Sequence, residues 1–93
     1  MKWTIRERLM GDTIVRDLFP FQVSRTIIHP QSEYHPDDDL LAFCRETFGL
    51  GSHCTIMGTG HWMFDGSPRW IWQRGFLAFR SRAEMLVFLM KVA

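Results

Sequence analysis

Residues 61–80 constrain the fold of this chain more than any other segment, because they hold three of its four tryptophans and three of its eight phenylalanines. Their sequence, HWMFDGSPRWIWQRGFLAFR, predicts two strands joined by a turn at residues 65–68. Successive side chains of a strand point to opposite faces of a sheet. If residues 69–80 form one strand, Ile71, Leu77 and Phe79 lie on the face that packs in the core. The other face then carries Trp70, Trp72, Arg74, Phe76 and Arg80, and the preceding strand adds Trp62.

We expect these six residues to form an outward binding surface. Aromatic residues and arginine are enriched among the residues that contribute most of the energy at protein interfaces. Gly75 is the position that would alter the pattern, because a bulge there exchanges the two faces for every residue that follows.

The length and composition indicate one soluble domain that spans residues 1–93. Residues 1–49 carry a net charge of −2 and residues 50–93 a net charge of +3, without the run of Lys and Arg that strong nucleic-acid or membrane electrostatics requires. No segment approaches the roughly 20 apolar residues of a membrane span, and the N-terminal residues are too charged for a signal peptide. We therefore expect a cytoplasmic protein that does not bind membranes.

The pattern along the chain predicts an α+β fold. Strands are expected at residues 2–9, 13–15, 21–28, 53–64 and 69–80, and helices from Pro36 to Gly49 and from Ser81 onward. Such an order gives a small antiparallel sheet of four or five strands with two helices on one face. A permuted ferredoxin-like arrangement follows if the N-terminal strand pairs with residues 21–28 and takes the place of the strand that this fold normally has after its second helix.

Both helices carry recognisable ends. Pro36 and the carboxylates of residues 37–39 favour a helix start, and Gly49 favours a left-handed end with Leu50 folded back on it. Ser81 and Glu84 have the spacing of a capping box at the start of the second helix. That helix is so apolar that either the sheet or a second copy of the protein must cover most of it.

The residues that could carry chemistry do not form a recognisable site. His29, His35, His53, Cys54 and His61 lack the paired spacing of zinc ligands, and Cys44 falls on a buried helix face. Neighbouring side chains on a strand point apart, so His53 does not activate Cys54. The chain has neither a nucleophile motif nor a phosphate-binding loop. We predict no catalytic residue, no metal site and no cofactor, and thus a protein that is not an enzyme.

Residues 74–79 resemble the third strand of the RNA-recognition motif. Gly75-Phe76-Leu77-Ala78-Phe79 matches the last five positions of that motif, whereas Arg74 stands where a second stacking aromatic belongs and Trp72 where a basic residue belongs. The resemblance implies that Phe76 stacks on a base while Leu77 and Phe79 are core. The interpretation we favour is a half-buried strand whose aromatic side chains pack on a neighbour.

These observations lead to a small, non-catalytic protein-interaction protein that binds a protein partner through the aromatic and arginine hairpin. A homodimer through this sheet or through the apolar C-terminal helix is expected. In size and style the chain resembles phage-encoded accessory proteins, which implies an inhibitor of a host factor or a minor virion component. The alternative is a domain that binds single-stranded nucleic acid on the same face of the sheet.

Overall fold

The computed structural model describes residues 3–25, 38–73 and 75–93. These residues form a mixed α+β fold with a five-stranded sheet, a two-stranded sheet and three helices. In chain order the elements are β1 (Thr4–Ile5), α1 (Thr13–Leu18), β2 (Phe21–Ser24), α2 (Asp38–Phe48), β3 (Gly51–His53), β4 (Thr55–Ile56), β5 (Trp62–Met63), β6 (Trp70–Gln73), β7 (Phe76–Phe79) and α3 (Arg82–Val92).

The main sheet has the strand order β1-β2-β7-β6-β3. Three of its neighbouring pairs are antiparallel, and β3 pairs parallel to β6. The prediction of an antiparallel sheet is therefore wrong at one edge. After β3 the chain leaves the sheet, forms the β4–β5 pair and re-enters in the same direction at β6, as a parallel pair requires.

The region predicted as one strand over residues 53–64 is divided between both sheets. Residues 57–60 form a turn in which the Gly60 N–H donates to the Met57 carbonyl at 2.9 Å, and Gly60 has a φ of 89°. Gly58 and Gly60 therefore lie in the turn that joins β4 to β5. We call residues 55–63 the β4–β5 ribbon.

The predicted strand at residues 13–15 is a helix instead. The Asp12 side chain accepts a hydrogen bond from the Val15 N–H at 3.0 Å and so caps the first turn of α1. An aspartate at this position favours a helix start strongly enough to override the β-branched residues that follow it.

Residues 69–80 form a hairpin rather than one strand. β6 and β7 are antiparallel, with Gln73 opposite Phe76, and Gly75 lies in their connection with a φ of 69°. Glycine is favoured in such a tight turn because it adopts positive φ without steric cost. Gly75 is thus a turn residue and not a bulge, and the predicted row of side chains is wrong because the chain reverses within it.

The hairpin separates two hydrophobic cores on opposite faces of the sheet. We call them the Trp70 core and the Ile71 core, after two adjacent residues of β6. The Trp70 core contains Val23, Leu41, Cys44, Phe48, Trp70, Leu77, Phe79, Met85 and Phe88. The Ile71 core contains Val15, Phe19, Cys54, Ile71, Phe76 and Ala78.

The predicted ends of the long helices are partly confirmed. Gly49 has a φ of 92°, and the Ser81 hydroxyl accepts from the Glu84 N–H at 3.2 Å while it donates to the Glu84 carboxylate at 3.0 Å. Leu50 does not fold back on α2, because 82% of it is exposed. The predicted start at Pro36 lies outside the described residues.

Candidate functional site

The hairpin residues predicted to form one surface are divided between the two cores. Trp70 is fully buried, and its indole N–H donates to the Gly49 carbonyl at 3.0 Å. Phe76 is only 3% exposed and belongs to the opposite core, where its ring meets that of Trp62 at 5.5 Å in an edge-to-face arrangement. These side chains stabilise the fold and do not face solvent together.

Of the other predicted site residues, Trp62, Trp72 and Arg80 are half-buried. Trp72 lies beside His53 with the ring centroids 4.4 Å apart. Arg80 donates from Nε to the Pro68 carbonyl at 2.8 Å, and its guanidinium lies 5.2 Å from the ring centroid of Phe19. Arg74 lies outside the described residues. The structure therefore does not bring the five described residues of the predicted set together.

The burial of Phe76 also bears on the resemblance to the RNA-recognition motif. A stacking ring must present its flat face to a base. The Phe76 ring is enclosed by the Ile71 core and by Trp62, so the prediction that it stacks on a base is wrong for this structure. The favoured interpretation, in which the hairpin aromatics pack on neighbouring elements, agrees with the burial.

A different apolar surface is exposed along α3. Met85 and Phe88 point into the Trp70 core, whereas Leu86, Val87 and Met90 are exposed, with Met90 at 79%. Together with the exposed Ala83, they follow the spacing i, i+3, i+4, i+7, which places them side by side on one helix face. We call these four residues, Ala83, Leu86, Val87 and Met90, the α3 stripe.

Two exposed cations border the α3 stripe on opposite sides. Arg82 and Lys91 lie about a quarter turn from its centre in opposite directions around the helix. The Lys91 ammonium lies 5.5 Å from the ring centroid of Phe43 in α2. Glu84, the acidic residue of the first turn, points away from the stripe and pairs with Arg69 at 3.5 Å. The stripe is thus an apolar strip with a charge at each margin, which is the pattern of a helix–helix interface.

The thiols are not placed for catalysis. Burial raises the pKa of Cys44 to about 12 and the pKa of Cys54 to about 11, so neither forms a thiolate near neutral pH. The imidazole of His61 approaches the Asp12 carboxylate at 3.9 Å, but this histidine is mostly exposed. Among the described residues, no group of three or more His, Cys, Asp and Glu could hold a metal ion.

None of the helices in the described part of the chain combines the length and the apolar character needed to cross a membrane.

The sequence signal for the α3 stripe was the apolar composition of the whole helix, which did not show which side would stay uncovered. Comparison of the chain with protein-family models, with curated proteins and with solved structures found no match.

Proposed function

We propose that this protein is a small, non-catalytic interaction protein that forms a two-fold dimer through the α3 stripe. The observation that carries the proposal is the exposure of Leu86, Val87 and Met90 on a helix whose opposite side is already buried. An exposed apolar stripe on a helix whose opposite face is already buried is typical of a contact with another protein surface.

The stripe is complementary to itself. In an antiparallel pair of α3 helices centred between Leu86 and Val87, each Ala83 lies opposite the Met90 of the second copy. A small residue then faces a large one at both ends, and Leu86 faces Val87 in the middle. Such a self-matching patch is what a two-fold interface requires.

The charges at the margins are compatible with this pairing. In an antiparallel pair, each margin of one stripe lies beside the same margin of the second copy. Arg82 of one copy and Lys91 of the other therefore lie on different sides of the contact. The two copies of Lys91 lie on the same side of the contact, at opposite ends of the helix pair, so they do not oppose each other. A second copy of this chain is therefore the occupant that the stripe fits best.

The test is sedimentation equilibrium of the full chain over a concentration series. We expect a dimer that the double variant Leu86→Glu/Met90→Glu converts to a folded monomer, because two carboxylates would be buried without partners. Met63→Glu is the matched control, since Met63 is an exposed methionine of the β4–β5 ribbon and should leave the dimer intact. A wild-type chain that is monomeric at about 100 μM, or a double variant that dimerises as tightly as wild type, would refute the proposal.

We also propose that the sheet is a permuted ferredoxin-like arrangement with α2 and α3 over one face. The strand order β1-β2-β7-β6 and the antiparallel pairing of these neighbours support it, as does the presence of residues from both helices in the Trp70 core. β1 would replace the strand that usually follows the second helix.

The proposed biological setting remains a phage-encoded accessory protein in the host cytoplasm, and it rests on the sequence alone.

A further inference from the structure

The β4–β5 ribbon is too short to hold its own position. Its two strands share only the pairs Thr55–Met63 and Ile56–Trp62. Two-stranded ribbons of this kind are marginally stable in water, so their place in a fold depends on contacts with the rest of the protein. Its outer side is open to solvent, with Ile56, Met57 and Met63 all exposed.

Two rings and one carboxylate connect the ribbon and its C-terminal neighbour to the Ile71 core. Trp62 meets Phe76 at 5.5 Å, and Phe64 meets Phe19 at 5.5 Å. Both Trp62 and Phe64 are only half-buried. Because both rings are only partly enclosed, a polar contact adds to the attachment of the ribbon.

The polar contact is made by Asp12. One of its carboxylate oxygens accepts from the Val15 N–H at 3.0 Å, and the other accepts from the Trp62 N–H at 3.1 Å. A single side chain thus caps α1 and fastens the ribbon to it. Hydrogen bonds to an ionised group are stronger than those between neutral groups.

The chain on either side of the ribbon is hydrogen-bonded to the main sheet. The Cys54 N–H donates to the Trp72 carbonyl at 2.8 Å, and the Cys54 carbonyl accepts from the Gln73 side chain at 2.7 Å. On the far side, the Asp65 N–H donates to the Ser52 hydroxyl at 3.1 Å. Motion of the ribbon is therefore confined between two fixed points, directly after Cys54 and directly before Asp65.

We propose that the β4–β5 ribbon is a flap, latched by Asp12, that opens as a unit and uncovers the Ile71 core while the Trp70 core stays closed. Local opening of weakly attached segments is a general property of folded proteins, and it follows the distribution of buried contacts. The flap lies on the opposite face of the sheet from the residues that α3 buries, so the proposal does not depend on the dimer.

The two buried cysteines report the two sides separately. Cys54 lies in the Ile71 core beneath the flap, and Cys44 lies in the Trp70 core. Both are fully buried and free. The experiment is alkylation of the native, full-length chain by N-ethylmaleimide, with the rate at each cysteine measured by peptide mass spectrometry. We expect Cys54 to react at least about tenfold faster than Cys44, because opening the flap needs less free energy than unfolding the domain.

The latch is tested with Asp12→Asn. The asparagine carbonyl can still accept from the Val15 N–H and cap α1, but its amide group cannot accept from the Trp62 N–H. We expect the rate at Cys54 to rise about tenfold with little change at Cys44. Asp17→Asn, a change of the same type at an exposed position of α1, is the matched control and should alter neither rate.

Three outcomes would overturn the proposal. Equal rates at Cys54 and Cys44 in the wild-type chain would mean that both become accessible only through global unfolding. An Asp12→Asn variant that raises both rates equally would show a general loss of stability. An Asp12→Asn variant that leaves the Cys54 rate unchanged would show that the carboxylate does not hold the flap.

Discussion

The two faces of the sheet are covered in different ways, although Trp70 and Ile71, which enter the two cores, are neighbours in the chain. On the Trp70 side, ring contacts form a continuous series: Phe48 meets Phe79 at 5.3 Å, Phe79 meets Phe88 at 5.7 Å, and Phe88 meets Trp3 at 5.1 Å. On the Ile71 side, the cover is a six-residue helix and a short ribbon. A cover with many apolar contacts needs no polar fastening, whereas a thin one depends on a group such as the Asp12 carboxylate.

The largest effect that tests this difference is expected from truncating a ring in each core. Phe88→Ala should lower the free energy of unfolding by about 3–5 kcal/mol, because Phe88 is fully buried and its removal leaves a cavity. Phe64→Ala, beside the ribbon, should cost about 1–2 kcal/mol, because Phe64 is half-buried and solvent can fill the space. Urea denaturation followed by circular dichroism measures both values. Equal losses would remove the distinction between a thick and a thin cover.

A smaller effect is expected from adding one methyl group on each side of the comparison. Gly51 of β3 lies so close to the Trp70 indole that a Cβ atom there would overlap the ring. Gly51→Ala should therefore cost about 1–3 kcal/mol through overpacking. Gly58→Ala in the ribbon turn is the control, since no atom lies near its added methyl group, and it should change stability by less than about 0.5 kcal/mol. A Gly51→Ala chain as stable as wild type would mean that the Trp70 core adjusts more easily than its packing indicates.

The smallest effect concerns the pH dependence of the latch. Hydrogen bonds from the Val15 and Trp62 N–H groups, aided by the nearby His61, hold the pKa of Asp12 below its ordinary value. The lowered pKa means that Asp12 stabilises the fold above the unfolded-state pKa of about 4 and loses this contribution as the pH falls through its folded-state value. The stability difference between wild type and Asp12→Asn should therefore be constant above about pH 5 and shrink toward about pH 3. If the stability difference between wild type and Asp12→Asn were the same at about pH 5 and about pH 3, the ionised carboxylate would not be the stabilising group.

Several elements could be predicted because their signals are local. The capping of α3 by Ser81 and Glu84, the left-handed end at Gly49 and the burial of Cys44 all follow from residues that are close in the sequence. The pairing of β1 with β2 also agrees with the expected contact of the N-terminal strand with residues 21–28. The helix ends and the buried cysteine depend on backbone hydrogen bonds and helix spacing, which a short window of sequence contains. The pairing of β1 with β2 is not local, because it joins Thr4 to Ser24.

The candidate site could not be predicted in the same way. A single strand over residues 69–80 would place Trp70, Trp72 and Phe76 on one face. In the structure the chain reverses direction at Gly75, so Phe76 enters the opposite core from Trp70. The choice between a bulge and a turn at one glycine depends on which strand pairs with which, and that is a long-range property. For α3, the apolar composition predicted that most of the helix would be covered, but no local signal showed that Leu86, Val87 and Met90 would stay exposed.

By itself, the sequence determined that this chain forms an α+β domain, where α3 begins, and that its C-terminal half is rich in aromatic side chains. The tertiary structure decided what those aromatic side chains do. Pairing β6 with both β7 and β3 buried Trp70 and Ile71 on opposite faces, used the rings as core, and left the α3 stripe and the β4–β5 ribbon at the surface. The physical reason is that alternation along a strand assigns side chains to two faces, but only the register with neighbouring strands and the covering elements decide which of those faces remains open to solvent.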